Sequence, residues 1–324
     1  MRISDRELLD FYEWMVTERL LDEKITEAFR MGKIMSMFHP ALGQEAANVG
    51  SAYALKEGDA ILPSHRTKVV YLMRGMDLNH FMAGMFGRKE GFGQGRLPVG
   101  SHMCADAALG LLPVHGCIGS SFNTGVGAAL GMKLLHRPNA VLQCCGDGGS
   151  NRGDVHEGMN FAAILKLPVV FFFTNNGLSV SVRASYALSV KQISERAAGY
   201  GIPGITIDGR DVLKVYETVS EALDRARQSG GPALIEAMVD RWTGHSISDA
   251  DTYRTDGERA QAREIDPVKE YEAVLQGRGV LDPARVRKIW DEIGSRLDAA
   301  VQYADSCSEP GMECLAVGVY EAVT

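Results

Sequence analysis

The residues best able to do chemistry in this chain lie between Gly146 and Leu178, in the segment GDGGSNRGDVHEGMNFAAILKLPVVFFFTNNGL. Asp147 closely follows one apolar run, Ala140–Cys145, and Asn175-Asn176 follows a second, Leu167–Thr174. Ligands of open parallel sheets bind outside the carboxyl ends of the strands. The 29 residues from Asp147 to Asn176 span one strand–helix–strand unit, so the two side chains can converge. A carboxylate and an amide carbonyl are hard oxygen ligands. With a backbone carbonyl from the following loop they suit Mg2+, which keeps its other positions for phosphate oxygens and water. Gly146, Gly148 and Gly149 let backbone N–H groups approach those phosphates, and the start of the next helix adds positive potential. Taken singly, GDGG reads as a tight strand-to-helix turn and NNG as a turn after a strand. Their spacing, between two apolar strands, is what points to a site.

The elements that must position these residues can be read from periodicity. The pattern predicts helices over 4–31 (with Ser4 and Asp5 as capping candidates), 44–56, 68–75 and 79–86. Twelve glycines follow between Gly84 and Gly131, with few long periodic segments before Val126. From Ala140 the texture alternates: strand 140–145, helix 154–166, strand 167–174, helix 189–200, strand 204–207, helix 211–229, strand 233–239. Asp154 and Glu157 stand in capping-box relation at the start of the first of those helices. Strands that are continuously apolar belong to a parallel sheet covered on both faces. The expected fold is therefore α/β: a doubly wound, mostly parallel sheet with helices on both faces, flanked by N- and C-terminal helices. The segment 246–264 is polar and aperiodic, and we expect a loop that orders over a bound ligand. Asp282-Pro283 then opens an amphipathic helix. No repeat or composition break marks a second domain. The chain reads as one domain over 1–324, with an N-terminal helical arm over about 1–60 and a C-terminal helical segment over about 265–324.

Composition narrows the partners. Hydrophobic residues make up 45% and charged residues 23%, so the 324-residue chain can bury a sizeable core. A net charge of −7 gives nucleic acid or an anionic membrane no global attraction. The six cysteines include no C-x-x-C pair, which favours free thiols over a disulfide framework or a zinc site. Asp5, Glu7 and Asp10 interrupt the stretch where a leader would lie, and no apolar run approaches a membrane span. The expected location is cytoplasmic.

GDG, some thirty residues, then NN is the thiamine-diphosphate motif, and the whole chain resembles the α chain of the E1 component of 2-oxoacid dehydrogenases. HPALGQEAANVGSAYAL resembles that family's His-x-x-x-Gly-Gln-Glu-Ala segment, ILPSHRTKVVYLMRG its aromatic-Arg segment and FMAGMFGRKEGFGQGR its FGRxxG segment. WTGHSISDADTYRT resembles its Gly-His-Ser loop. The resemblance implies the thiamine diphosphate-binding fold, with the cofactor in a cleft between an α and a β chain. The α chain holds the diphosphate and Mg2+, and the β chain supplies the glutamate that activates the aminopyrimidine. Carried over motif by motif, Asp147, Asn176 and the Leu178 backbone carbonyl would bind Mg2+. Gly148 and Gly149 would face the diphosphate, with Arg66 paired to it and His65 beside Arg66 in the cofactor set. Gly116 and Ile118 would line the pyrimidine and thiazolium region. His245 would touch the diphosphate end near the reactive carbon, and His39 would reach the substrate; both are candidate catalytic groups.

The implied activity is decarboxylation of a 2-oxo acid, pyruvate first, with acyl transfer to a lipoyl acceptor by an α2β2 assembly. An acetoin dehydrogenase α chain, or a stand-alone α/β thiamine-diphosphate lyase or ligase, shares the same motif. A non-catalytic diphosphate-binding protein is the reading from a different class; the absence of a GxxxxGK[ST] loop disfavours nucleotide versions of it. The chain departs from the family where His65 replaces a tyrosine, Lys68 a histidine, Thr174 an acidic residue and Leu178 a tyrosine. An insertion is expected near Ala105–Leu111. His102 and His115 flank the glycine-rich stretch as weaker candidates, while His80, His136 and His156 look structural. Met31, Met35 and Met37 are expected to pack.

Overall fold

Helix α1 (Asp5–Arg30) starts at a complete capping box: Ser4 Oγ accepts the Glu7 N–H, and the Glu7 carboxylate accepts the Ser4 N–H at 2.8 Å. The structure, a computed structural model, describes residues 3–35, 37–96 and 104–315. After α1 come α2 (Glu45–Tyr53), a short strand β1 (Ala60–Leu62), α3 (Val69–Met73), α4 (Leu78–Met85) and α5 (Phe122–Leu134). The alternating half follows as β2 (Val141–Gly146), α6 (Gly153–Ile164) and β3 (Val169–Asn175). A two-stranded ribbon, β4 (Leu178–Ser179) with β5 (Val182–Arg183), and a short α7 (Ala184–Ala187) lead to β6 (Gly204–Asp208), α8 (Val212–Arg227) and β7 (Ala233–Met238). The chain closes with α9 (Asp256–Gln261), α10 (Pro267–Gly277) and α11 (Pro283–Ser306).

The main sheet is parallel throughout, in the order β1-β2-β3-β7-β6. Along β3 successive side chains point to opposite faces. Val170 and Phe172 enter a core shared with α1, α2 and α8, while Phe171 and Phe173 enter a second core with α5 and α6. Phe122 of α5 stacks on Phe171 at 5.0 Å between ring centroids. Each buried phenylalanine contributes roughly 1.5–3 kcal/mol, so the apolar run at 169–173 holds both helical layers. This is the doubly wound α/β arrangement that the apolar strands imply.

The terminal helices pack on each other. Tyr271 of α10 donates to the Leu8 carbonyl at 3.0 Å, and Trp290 of α11 donates to the Tyr12 hydroxyl at 2.9 Å. Asp266 and Asp282 each cap the helix that follows through two backbone N–H groups, with proline in the first turn.

Several local expectations change. Strand β1 is too short for its periodicity to be read. The stretch at 105–111 folds as a turn, with Leu111 bridged to Ile61 and covering the free edge of β1. The N-cap of α6 is Arg152, without a side-chain bond; Asp154 sits inside the first turn and pairs with Arg152 at 3.0 Å, so the Asp154–Glu157 capping box does not form. The α-helix after Asp147 begins only at Gly153, and residues Asp147–Asn151 form a 3-10 turn. The helix expected over 189–200 is a 3-10 segment, Ile193–Tyr200. The polar segment contains α9, started by a Thr255–Glu258 capping box.

Candidate active site

Four neighbouring parallel strands deliver the site from their carboxyl ends. His65 and Arg66 follow β1, Asp147 follows β2, Asn175 ends β3 with Asn176 to Leu178 after it, and Arg241 to His245 follow β7. The register pairs Gly146 with Thr174 and Asn175 with Met238, so Asp147, Asn176 and Arg241 leave the sheet at nearly the same level.

Arg66 stands at the centre. Its guanidinium is buried and donates to the Pro40 carbonyl at 3.2 Å and the His245 carbonyl at 2.6 Å. Its Nη1 lies 3.0 Å from His65 Nε2, and its Nη2 lies 3.4 Å from His245 Nδ1. The backbone is fixed from behind: Asn48 Nδ2 donates to the Arg66 carbonyl at 2.9 Å and to Glu18 Oε1 at 2.8 Å. Burial, and then the charge of Arg241, push the Arg66 pKa down to about 10. No carboxylate pairs with Arg66 within ion-pair distance among the described residues.

Arg241 is the charged member of this cluster that the sequence alone did not single out. It is almost fully buried, donates to the Val180 carbonyl (3.1 Å), the Tyr253 hydroxyl (2.6 Å) and the Thr243 carbonyl (3.2 Å), and leaves Nη1 without a partner. Its one sequence signal is its place just after an apolar strand and four residues before His245. Facing these cations is Asp147, 4% exposed, whose Oδ2 has no hydrogen-bond partner. Burial raises the Asp147 pKa; the Gly148 N–H and then Arg66 and Arg241 pull against that shift.

The β3 loop is shaped by its own side chains. Asn175 Oδ1 accepts the Gly177 N–H at 2.9 Å, and Asn176 Oδ1 accepts the Leu178 N–H at 3.2 Å. Gly177 has φ +76°, which favours glycine. Opposite, a Cβ at Gly148 would lie 2.4 Å from Ser179 Oγ, and one at Gly149 would lie 2.5 Å from Cys145 Sγ and 2.9 Å from the Ile118 side chain. Packing within the chain alone therefore favours glycine at both positions. Ile118 thus lies against the GDGG turn, whereas Gly116 has open space around it and is exposed, like His115 and Cys117.

His39, His65 and His245 form one cluster, with ring centroids 4.4, 4.7 and 5.8 Å apart. Their ligand nitrogens all lie within 4.8 Å of one another, close enough to suggest a metal centre. Arg66, in contact with two of the rings, argues against a cation there. Burial, Arg66 and Arg241 also lower the His245 pKa to about 4, which leaves a neutral imidazole. His39 is held through its backbone: Lys68 Nζ donates to the His39 carbonyl at 2.6 Å and pairs with buried Asp22 at 3.1 Å.

The segment after His245 is packed down. Arg254 donates to the Arg241 and Thr243 carbonyls at 2.6 and 2.8 Å, and Asp249 accepts the His245 N–H and the Tyr253 hydroxyl, each at 2.6 Å. Burial pulls Asp249 upward, but the bonds from Tyr253 and from the Asp251 and His245 N–H groups outweigh it and hold its pKa at about 2. Outside the cluster, His80 bonds the Glu90 carbonyl and His156 the Tyr200 hydroxyl. His102 lies outside the described residues. Met31, Met35 and Met37 are exposed rather than packed, because the turn after α1 carries them away from the core. All six cysteines are free, and no described helix is long and apolar enough to cross a membrane.

A sequence model of the family described as Dehydrogenase E1 component matches residues 12–313. The chain is 35% identical to the α subunit of acetoin:2,6-dichlorophenolindophenol oxidoreductase of Bacillus subtilis, over 99% of this chain and 95% of that one. It is 37% identical to the α subunit of 2-oxoisovalerate dehydrogenase of the same organism, over 94% and 92%. It is 31% identical to the α subunit of the pyruvate dehydrogenase E1 component of Staphylococcus aureus, over 98% and 84%.

Proposed function

Because the chain belongs to the dehydrogenase E1 component family, we propose that it is the α-type subunit of a thiamine-diphosphate-dependent oxidoreductase that works with a β-type subunit on a 2-oxo acid or acetoin. The supporting observation is the buried, unpaired charge at the strand ends. Among the described residues Arg66 and Arg241 have no carboxylate partner, and Asp147 has an oxygen without a donor. Unpaired buried charges are costly. A diphosphate carrying a divalent cation complements all three groups at once.

Asp147, Asn176 Oδ1 and the Leu178 carbonyl would hold Mg2+; a carbonyl oxygen has two lone pairs, so the bond that Asn176 Oδ1 accepts from the Leu178 N–H leaves room for it. Arg66 and Arg241 would oppose the diphosphate oxygens, with Gly148 and Gly149 presenting backbone to them and His65 closing the Arg66 side. Gly116 and Ile118 would line the ring end. Thiamine diphosphate, when bound, supplies a nucleophilic carbon and an electron sink for the bond next to a substrate carbonyl. His245, neutral between the arginines, donates or accepts one hydrogen bond at the substrate oxygen without adding charge, and His39 does so from the opposite loop.

The ring end is open where His115, Gly116 and Cys117 are exposed, and there a β-type chain would complete the site. We read residues 1–324 as one cofactor-binding domain in a cytoplasmic α2β2 assembly. A 2-oxo acid, pyruvate first, is the leading substrate class, with a lipoyl-bearing acyltransferase as acceptor. Acetoin is the second reading, favoured by the similarity over nearly the full length of both chains to the acetoin-named relative.

The test is to co-express the chain with its β partner and weigh the intact assembly by native mass spectrometry with thiamine diphosphate and Mg2+. Dye reduction with pyruvate, branched 2-oxo acids and acetoin then assigns the substrate. An intact α/β assembly that takes up no thiamine diphosphate would overturn the reading.

A further inference from the structure

A further buried carboxyl group lies behind the site. Glu236 lies on β7, fully buried, beside the last residues of β3. Its Oε1 accepts Asn175 Nδ2 at 2.7 Å; its Oε2 accepts the Ser194 N–H at 3.0 Å and the Thr206 hydroxyl at 3.2 Å. Glu236 thus links β7 to the end of β3, to β6 and to the 3-10 segment Ile193–Tyr200.

The bond to Asn175 has a direction. An amide held by Nδ2 has its Oδ1 aimed, and Asn175 Oδ1 accepts the Gly177 N–H at 2.9 Å. Gly177 stands between Asn176 and Leu178. Glu236 therefore sets the amide of Asn175, Asn175 sets the turn at Gly177, and the turn sets where Asn176 and Leu178 present their oxygens. A buried carboxylate is a costly way to stabilise a sheet, but it is a rigid acceptor for donors arriving from three directions. Groups behind metal ligands typically act in this way, orienting the ligands.

We propose that Glu236 is a positioning residue for the cation-binding loop 176–178, acting through Asn175. The inference rests on reading Asp147, Asn176 and Leu178 as the Mg2+ ligands.

The donor–acceptor pattern offers a specific test. Glu236→Gln turns one acceptor into a donor, which then faces either the Asn175 amide or the Ser194 N–H. Adding Asn175→Asp reverses the pair: the glutamine amide donates to the new carboxylate, its oxygen keeps Ser194 and Thr206, and the second aspartate oxygen keeps the Gly177 N–H. The chain, co-purified with its β partner and saturated with thiamine diphosphate, is titrated with Mn2+, and free Mn2+ is read by electron paramagnetic resonance. Glu236→Gln is expected to weaken Mn2+ binding about 10- to 100-fold, and the double variant is expected to recover most of the loss. Unchanged affinity in Glu236→Gln, or no recovery in the double variant, overturns the proposal.

Asp147→Asn separates the two claims. If it binds Mn2+ as tightly as the parent, the Mg2+ assignment itself is wrong. If it loses Mn2+ while Glu236→Gln does not, only the positioning role fails. Should Glu236→Gln not fold, Asn175→Ala leaves the Ser194 and Thr206 bonds in place and must itself weaken Mn2+ binding; unchanged affinity there again overturns the inference.

Discussion

Arg66 Nη2 donates to the backbone carbonyl of His245 at 2.6 Å, tying the residues after β1 to the loop after β7. Two strands, β2 and β3, lie between those elements. At about 4.8 Å per strand spacing, β1 and β7 are about 14 Å apart in the sheet, so the two loops must lean toward each other over β2 and β3 for this bond to form.

The same arginine adds to the burial that keeps the His245 imidazole neutral. Its pKa is lowered to about 4, with burial first and Arg66 second among the causes, against an ordinary 6.5. Between those values the unfolded chain binds more protons than the folded one, so this group makes stability rise with pH from about 4 to 6.5. Arg66→Met should move the His245 pKa upward toward its ordinary value and shrink that pH dependence. Histidine-selective NMR titration checks the first, and denaturation at several pH values the second. A His245 pKa that stays put would mean that burial alone sets it.

Asp147 is buried with one oxygen unpartnered. Burial disfavours the charged form of Asp147 by more than the Gly148 N–H, Arg66 and Arg241 restore it, so its pKa is raised and a neutral side chain of the same shape avoids that penalty. Asp147→Asn should therefore leave the cofactor-free protein as stable as the parent or more so, while abolishing the rise in melting temperature that thiamine diphosphate and Mg2+ are expected to give the parent. Differential scanning calorimetry with and without both ligands reads the two effects in one experiment.

Lys68 and Asp22 are both buried, and Lys68 also holds the His39 carbonyl. Breaking a buried ion pair from one side costs about 3–5 kcal/mol because the other charge is stranded. Lys68→Met should lose stability in that range by urea denaturation, and adding Asp22→Asn should return part of it. Turnover should stay low in the double variant if His39 needs the bond from Lys68, since the methionine cannot supply it.

The loop at 246–264 is anchored through Arg241, whose remaining Nη1 is unpartnered. An anion on Arg241 should tighten the Tyr253 and Arg254 contacts. Saturating thiamine diphosphate with Mg2+ is then expected to slow proteolytic cutting within the loop. Cutting at an unchanged rate would show a loop indifferent to the site. Tyr253→Phe, which removes one anchor, should speed cutting in the ligand-free protein.

Much of this was legible in the residues. The apolar runs before Asp147 and Asn175 announced a parallel sheet covered on both faces, and the spacing between those residues placed two candidate ligands at adjacent strand ends. Ser4, Asp266-Pro267 and Asp282-Pro283 start helices where a local signal suffices, because capping involves only three or four consecutive residues. The box expected at Asp154 failed since the N-cap is Arg152, with extended backbone, two residues earlier, which leaves Asp154 inside the first turn.

What the chain could not disclose locally was decided by the crossing of distant segments. Three residues of β1 carry no period, yet they put Arg66 into the crevice. Arg241 is one arginine among many until the packing of β7 buries it beside Arg66. Glu236 looks like an interruption of an apolar strand until β3, β6 and a 3-10 segment bring donors to it from three directions. Periodicity reports which face of an element is buried; which unpaired charges share one desolvated space depends on strand order, and that belongs to the tertiary structure.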